Sequence, residues 1–170
     1  MPSARYWIAS AGAKTATDRV RFRTTDLPLF APPAGVGATM RQVLYALAPA
    51  AVVYVWFFGP GLVFNMLVAV LFCVGSEALL LRMRGMPVAP ALQDCSAVVT
   101  AVLLAFALPP LTPWWVTATG SLFAMIFAKH LYGGLGFNIF NPAMAGYVAV
   151  LLSFPVATTA WLPPGMGDLD

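Results

Sequence analysis

Long apolar runs, separated by short polar, glycine or proline breaks, dominate this sequence. The runs lie at about 40–58, 62–81, 94–108, 114–128 and 142–154. The first is long enough to cross a ~30 Å hydrocarbon core at ~1.5 Å per helical residue. Pro49 lies inside it and predicts a kink. Gly59-Pro60-Gly61 reads as a tight turn, and Arg82 and Arg84 close the second run. Gly85–Ala91, with Pro87 and Pro90, reads as a loop, and Pro109-Pro110-Leu111-Thr112-Pro113 as a stiff turn. Trp114 and Trp115 suit a membrane interface. The pattern predicts an all-α polytopic membrane protein of about five transmembrane or half-spanning helices.

The last break is the richest. Between Lys129 and Ala143 stand Gly133, Gly134, Gly136, Asn138, Asn141 and Pro142. Such a stretch cannot be one unbroken helix. In a membrane, irregular backbone persists only where protein buries it or where it lines a wet cavity. Pro142 fits the first helical turn, because its missing N–H costs nothing there. Asn141 then falls at the N-cap, where its side-chain oxygen accepts from an N–H of the turn. A helix of ~13 residues is short for a full crossing and reads as a half-helix or a tilted segment. Its free N–H groups and positive dipole end suit an anionic group, a carbonyl or a flavin edge. Asn138 and Asn141 thus either bind such a group or only satisfy the broken backbone. Gly134 and Gly136 either line the same site or let helices approach closely. They do not form the dinucleotide fingerprint, since Ile139 stands where its last glycine is needed.

Composition turns this pattern into a class. Hydrophobic residues make up 61% of the 170 and charged ones 9%, and the mean hydropathy is +0.84. A soluble domain is closer to half apolar and a quarter charged. The net charge of +3 is small and gathered at one end, which excludes a nucleic-acid partner. Residues 1–39 carry Arg5, Lys14, Arg19, Arg21 and Arg23 and read as a basic arm, not a signal peptide. With that arm in the cytoplasm, the Arg82/Arg84 and Lys129/His130 breaks fall on the same side. The turns at 59–61 and 109–113, and the tail 156–170, fall outside with no Lys or Arg. The distribution predicts a multi-pass protein of the cytoplasmic membrane with its N-terminus inside.

Few polar side chains interrupt the spans. Glu77 lies one helical turn before the end of the second run. It either reaches the interface near Arg82 and Arg84 or serves an ion pathway, since a buried carboxylate is costly unless paired or hydrated. Asp94 either caps the third helix or joins Glu77 at an ion entrance. Lys129 and His130 suit a helix C-terminus, and Lys129 is also a candidate contact for a phosphate or flavin. Cys73 and Cys95 lack the further ligands a metal site needs and read as inert thiols. No catalytic residue and no metal site is predicted.

The run from Gly133 through Asn141-Pro142-Ala143-Met144-Ala145-Gly146-Tyr147-Val148 resembles the signature of the RnfD family, the D subunits of Rnf electron-transport complexes. The B subunit of the sodium-pumping NADH:quinone reductase is a relative of that family. Asp94–Thr100, Leu108–Trp115, Ala128-Lys129 and Leu152–Pro155 carry the same resemblance. Trp56-Phe57-Phe58-Gly59 and Trp161-Leu162-Pro163-Pro164 favour the Rnf side. The resemblance implies a membrane subunit of a redox-driven pump that passes electrons between NADH and ferredoxin and moves Na⁺ or H⁺. It implies other membrane and peripheral subunits as partners, alongside membrane lipid. It implies one half of an inverted-repeat, urea-transporter-like fold. The flavin it implies is FMN, or riboflavin as a second candidate. FMN would be joined to the threonine of a Ser-x-Ala-Thr-like motif, in a part of the family pattern that follows this N-terminal half; Thr39, in Gly37-Ala38-Thr39, lacks the leading serine of that motif. Two other readings compete. Asn141-Pro142-Ala143 copies the triplet that starts aquaporin half-helices, which allows a passive channel. A structural membrane anchor for partner subunits is the other.

Overall fold

The computed structural model describes residues 35–131, 140–161 and 163, and every regular element among them is helical. Helix α1 spans Val36–Phe58, α2 Gly61–Met83, α3 Val88–Leu92 and α4 Ser96–Ala107. Helix α5 spans Trp114–Phe123 and continues without a break as a π-helical segment, Ala124–His130. Helix α6 spans Pro142–Ser153 and α7 Pro155–Thr159.

Helices α1 and α2, with 23 residues each, are long and apolar enough to cross a membrane. The 12-residue α4 and α6 reach only ~18 Å at the α-helical rise. Some boundaries differ from those expected. Helix α1 takes in residues 36–39 of the expected arm and continues through Pro49. The expected loop at 85–91 holds the start of α3, and the expected tail holds most of α7. Prolines at 87 and 155 precede or open these short helices, where a missing N–H is harmless.

Helix α2 is the hub, packed against α1, α3, α4, α5 and the π segment. It buries Leu62, Asn65, Ala69, Cys73, Ser76, Glu77 and Leu81, a stripe at helical spacing. Val63, Phe64, Leu67, Leu71 and Leu79 on its other side stay exposed. Two small residues set the closest crossing. A Cβ on Gly146 of α6 would lie 2.5 Å from the Gly120 carbonyl oxygen of α5 and 2.9 Å from the Ala124 Cβ. Only glycine permits that approach. One buried cluster, Ala69, Cys73, Ala97, Ala101 and Met125, joins α2, α4 and the π segment. A second, Leu104, Leu108, Val116, Ala143 and Val150, joins α4, α5 and α6. Helix α1 buries no residue and rests on α2 and α4 from outside.

Candidate functional site

A cluster of charged and polar side chains forms near the C-terminal end of the hub. The Lys129 ammonium donates to the Glu77 carboxylate oxygen Oε1, and to Ser96 Oγ at 2.6 Å. Glu77 is 3% exposed, Lys129 3%, Ser96 2% and His130 5%, so the pair is shielded from solvent on all sides. Three elements supply it: Glu77 from α2, Lys129 and His130 from the π segment, and Ser96 from the first residue of α4.

Each element reaches this point for a local reason. The π segment closes with the Leu131 N–H bonded to the Ile126 carbonyl at 3.0 Å, five residues back. This wider turn departs from α geometry where two successive cationic residue types, Lys129 and His130, are both buried. The Arg84 guanidinium donates from Nη2 to the His130 carbonyl at 2.9 Å, which satisfies the end of that segment. At α4 the backbone turns through Cys95, whose φ is +59°. A non-glycine residue held there costs about 1–3 kcal/mol. The turn lets the Ser96 N–H donate to Asp94 Oδ1 at 2.7 Å. The Ser96 hydroxyl is left to accept from Lys129.

Two atoms of the cluster remain unmatched. Glu77 Oε2 and His130 Nε2 are buried and have no hydrogen-bond partner among the described residues. His130 Nε2 stands 3.9 Å from Glu77 Oε1, beyond hydrogen-bonding distance.

Of the residues singled out in the sequence, Glu77 and Lys129 come together. Glu77 does not reach Arg82 or Arg84 at an interface; it turns inward to Lys129. Lys129 is held by Glu77 and Ser96, not offered to a phosphate. Asp94 is half-buried and caps Ser96 beside the cluster. Asn141 lies at the start of α6, where its Oδ1 accepts from the Ala143 N–H at 3.0 Å; no hydrogen bond joins it to Glu77. Gly134, Gly136 and Asn138 lie outside the described residues. Ser96 and His130 as members of the cluster, and the π turn, were not foreseen. A usable signal existed: two opposite charges at the ends of neighbouring apolar helices have few partners but each other.

Two observations bear on a flavin phosphate. Lys129 is occupied, and the grooves beside α7 (lined by Trp115, Phe154 and Pro155), beside α1 (Tyr54, Phe57, Phe106) and beside α2 (Leu71, Leu79, Ile126) present no cation. Among the described residues no group of three His, Cys, Asp or Glu side chains is placed to hold a metal.

Two spanning-length apolar helices in a chain that is 61% hydrophobic and 9% charged mark a helical membrane protein. The chain belongs to the NQR2, RnfD, RnfE family, whose model matches residues 24–170. It is 60% identical over 129 residues to the D subunit of the ion-translocating oxidoreductase complex of Alcanivorax borkumensis, a match that covers 76% of this chain and 38% of that protein. It is 56% identical over 125 residues to the D subunit of the same complex from Aeromonas hydrophila, covering 74% and 36% respectively. The corresponding Shewanella denitrificans protein is 48% identical over 143 residues, or 84% of this chain and 41% of that protein. The matched part of the chain thus spans well under half the length of these relatives.

Proposed function

We propose that the full-length protein is a membrane subunit of an Rnf-type complex, in which electron transfer between NADH and ferredoxin drives Na⁺ or H⁺ across the bacterial cytoplasmic membrane. The relatives' names support the complex and its ion translocation. The observation that carries the reading within this chain is the sealed Glu77–Lys129 pair with its unmatched carboxylate oxygen. Intramembrane ionisable groups are expensive and mark ion paths. In this reading Glu77 lies on the path and the half-buried Asp94 stands at its entrance, on the cytoplasmic side that also holds the N-terminus. The short α4 and α6, each following broken backbone, support an inverted-repeat arrangement with these helices as half-spans. FMN is carried by the remainder of the full-length protein and meets this portion across the α6 side. The other subunits and lipid cover the exposed apolar surfaces.

The test is ion uptake driven by NADH oxidation in inverted membrane vesicles carrying full-length Glu77→Gln. Loss of most uptake with the protein still inserted is expected. Uptake equal to wild type removes Glu77 from the path. For the flavin, fluorescence of the full-length protein on a denaturing gel is expected, and its absence from mature protein removes covalent FMN.

A further inference from the structure

We propose that Glu77 and His130 form a proton-transfer pair bridged by a buried water, with Lys129 as its fixed counter-charge. The inference deepens the reading of Glu77 given above by naming the species handled there as a proton. It starts from two buried atoms, Glu77 Oε2 and His130 Nε2, that no described protein group satisfies. Both side chains are more than nine-tenths buried. The 3.9 Å between His130 Nε2 and the nearer carboxylate oxygen is too long for a direct hydrogen bond. A single water that donates to one of these unmatched atoms and exchanges a proton with the other would satisfy both.

The surroundings favour a proton over a metal cation. The ammonium of Lys129 already occupies Glu77 Oε1, and the Ser96 hydroxyl already accepts from the same ammonium. A sodium ion needs several oxygen ligands and would face a fixed positive charge on the carboxylate it needs most. A proton needs one lone pair, on Glu77 Oε2 or His130 Nε2. The other titratable groups around the pair are Cys73 of α2, Arg84 just after it and Asp94 before α4. Asp94 is held by the Ser96 N–H, and Arg84 by the His130 carbonyl. Arg41 of α1 extends beside Gly37, which abuts Gln93 and Asp94. Helices α3, α5 and α6 add no charged side chain.

The step balances simply. A proton taken up on Glu77 Oε2, the oxygen that Lys129 leaves free, passes to the bridging water, and the water gives another of its protons to His130 Nε2. Carboxylate and imidazolium result and the water is regenerated. The imidazolium lies against the carboxylate it has just left charged. The Arg84 contact to the His130 backbone keeps the imidazole at this depth.

Infrared difference spectroscopy of the full-length protein in its complex, stepped between low and high pH, tests the pair without any turnover. A carboxyl C=O band is expected that disappears in Glu77→Gln, shifts in D₂O, and changes frequency in His130→Gln. A wild-type protein without such a band, or a band that His130→Gln leaves unmoved, overturns the proposal. If Glu77→Gln does not accumulate, Glu77→Asp keeps the charge and is expected to displace the band; an undisplaced band is equally decisive against it. If NADH drives no ion movement in wild-type vesicles, the function proposed above fails, and the infrared titration still decides the proton pair.

Discussion

Helix α2 and the α5–π helix meet at two polar layers that differ in kind. Near their N-terminal ends Asn65 accepts from the Thr117 hydroxyl at 3.2 Å, and donates to the Pro109 carbonyl at 2.9 Å. Near their C-terminal ends Glu77 meets Lys129. Both pairs are separated by 52 residues in sequence, so the two helices run parallel and keep register between the layers. On α2 the layers lie about 18 Å apart at the α-helical rise, with Ala69, Cys73 and Met125 packed between them. The neutral layer has every side-chain polar atom partnered and clamps the Pro109-Pro110 turn, against which Gly61 packs too closely for any Cβ. The ionic layer is sealed equally well but keeps two unmatched atoms. A fully satisfied buried network rigidifies a fold; a partly satisfied one leaves polar groups desolvated at a cost. A fully partnered layer and a partly partnered one thus lie within a single helix pair.

The sharpest way to break that contrast is Glu77→Ala. It leaves the Lys129 ammonium buried with only Ser96, and breaking a buried ion pair on one side costs about 3–5 kcal/mol. Severe loss of accumulation, or a large fall in the thermal midpoint of the detergent-solubilised full-length protein, is expected. The double replacement Glu77→Leu with Lys129→Met removes both charges and is expected to recover most of that stability while ion uptake stays lost. If the single and double variants are equally unstable, the pair is not what seals this layer.

Asn65→Ala should have the next largest effect and a different character. It removes the donor to the Pro109 carbonyl and the acceptor of the Thr117 hydroxyl. Leaving buried groups unsatisfied costs about 1–3 kcal/mol. The thermal midpoint is expected to drop, while NADH-driven ion uptake per folded molecule stays at the wild-type level. A loss of uptake beyond the loss of folded protein would give the neutral layer a part in transport and erase the distinction drawn above.

Much of the helix order was legible because the breaks are chemically loud. Gly59-Pro60-Gly61, the prolines at 109, 110 and 113, and Asn141-Pro142 each end or start a helix for reasons visible in one residue. The Asn141 cap is an example: its side chain makes the hydrogen bond that its position before Pro142 requires. What stayed hidden depends on which face of an apolar helix is buried. Apolar residues cover both sides of helix α2, so the stripe from Leu62 to Leu81 is marked in the sequence only by its polar members, Asn65, Ser76 and Glu77. Without that stripe, Glu77 could be aimed at either Arg82 and Arg84 or Lys129. The π turn was equally hidden, since Ala124–His130 carries the same residue types as an ordinary helix end. The break at Cys95 has no glycine to announce its left-handed backbone.

The smallest and most discriminating change is Ser96→Ala. Ser96 Oγ is the second acceptor for Lys129, and its loss removes one charge-assisted hydrogen bond but leaves the ion pair with Glu77 intact. Hydrogen bonds to charged groups contribute about 1.5–3 kcal/mol, but the small cavity left is polar enough for a water to take over part of the role, so a net loss of about 1 kcal/mol is expected. Helix α4 should still begin normally, because its first-turn bond uses the Ser96 N–H and Asp94 carboxylate, not the hydroxyl. Ion uptake should fall more than stability does, since Ser96 is the contact that ties Lys129, and through it Glu77, to the break before α4. The measurement is thermal unfolding and vesicle uptake on the same full-length preparation. A variant that loses stability but transports at the wild-type rate per folded molecule would make the Ser96 contact a structural one, and would narrow the working part of the ionic layer to Glu77, Lys129 and His130.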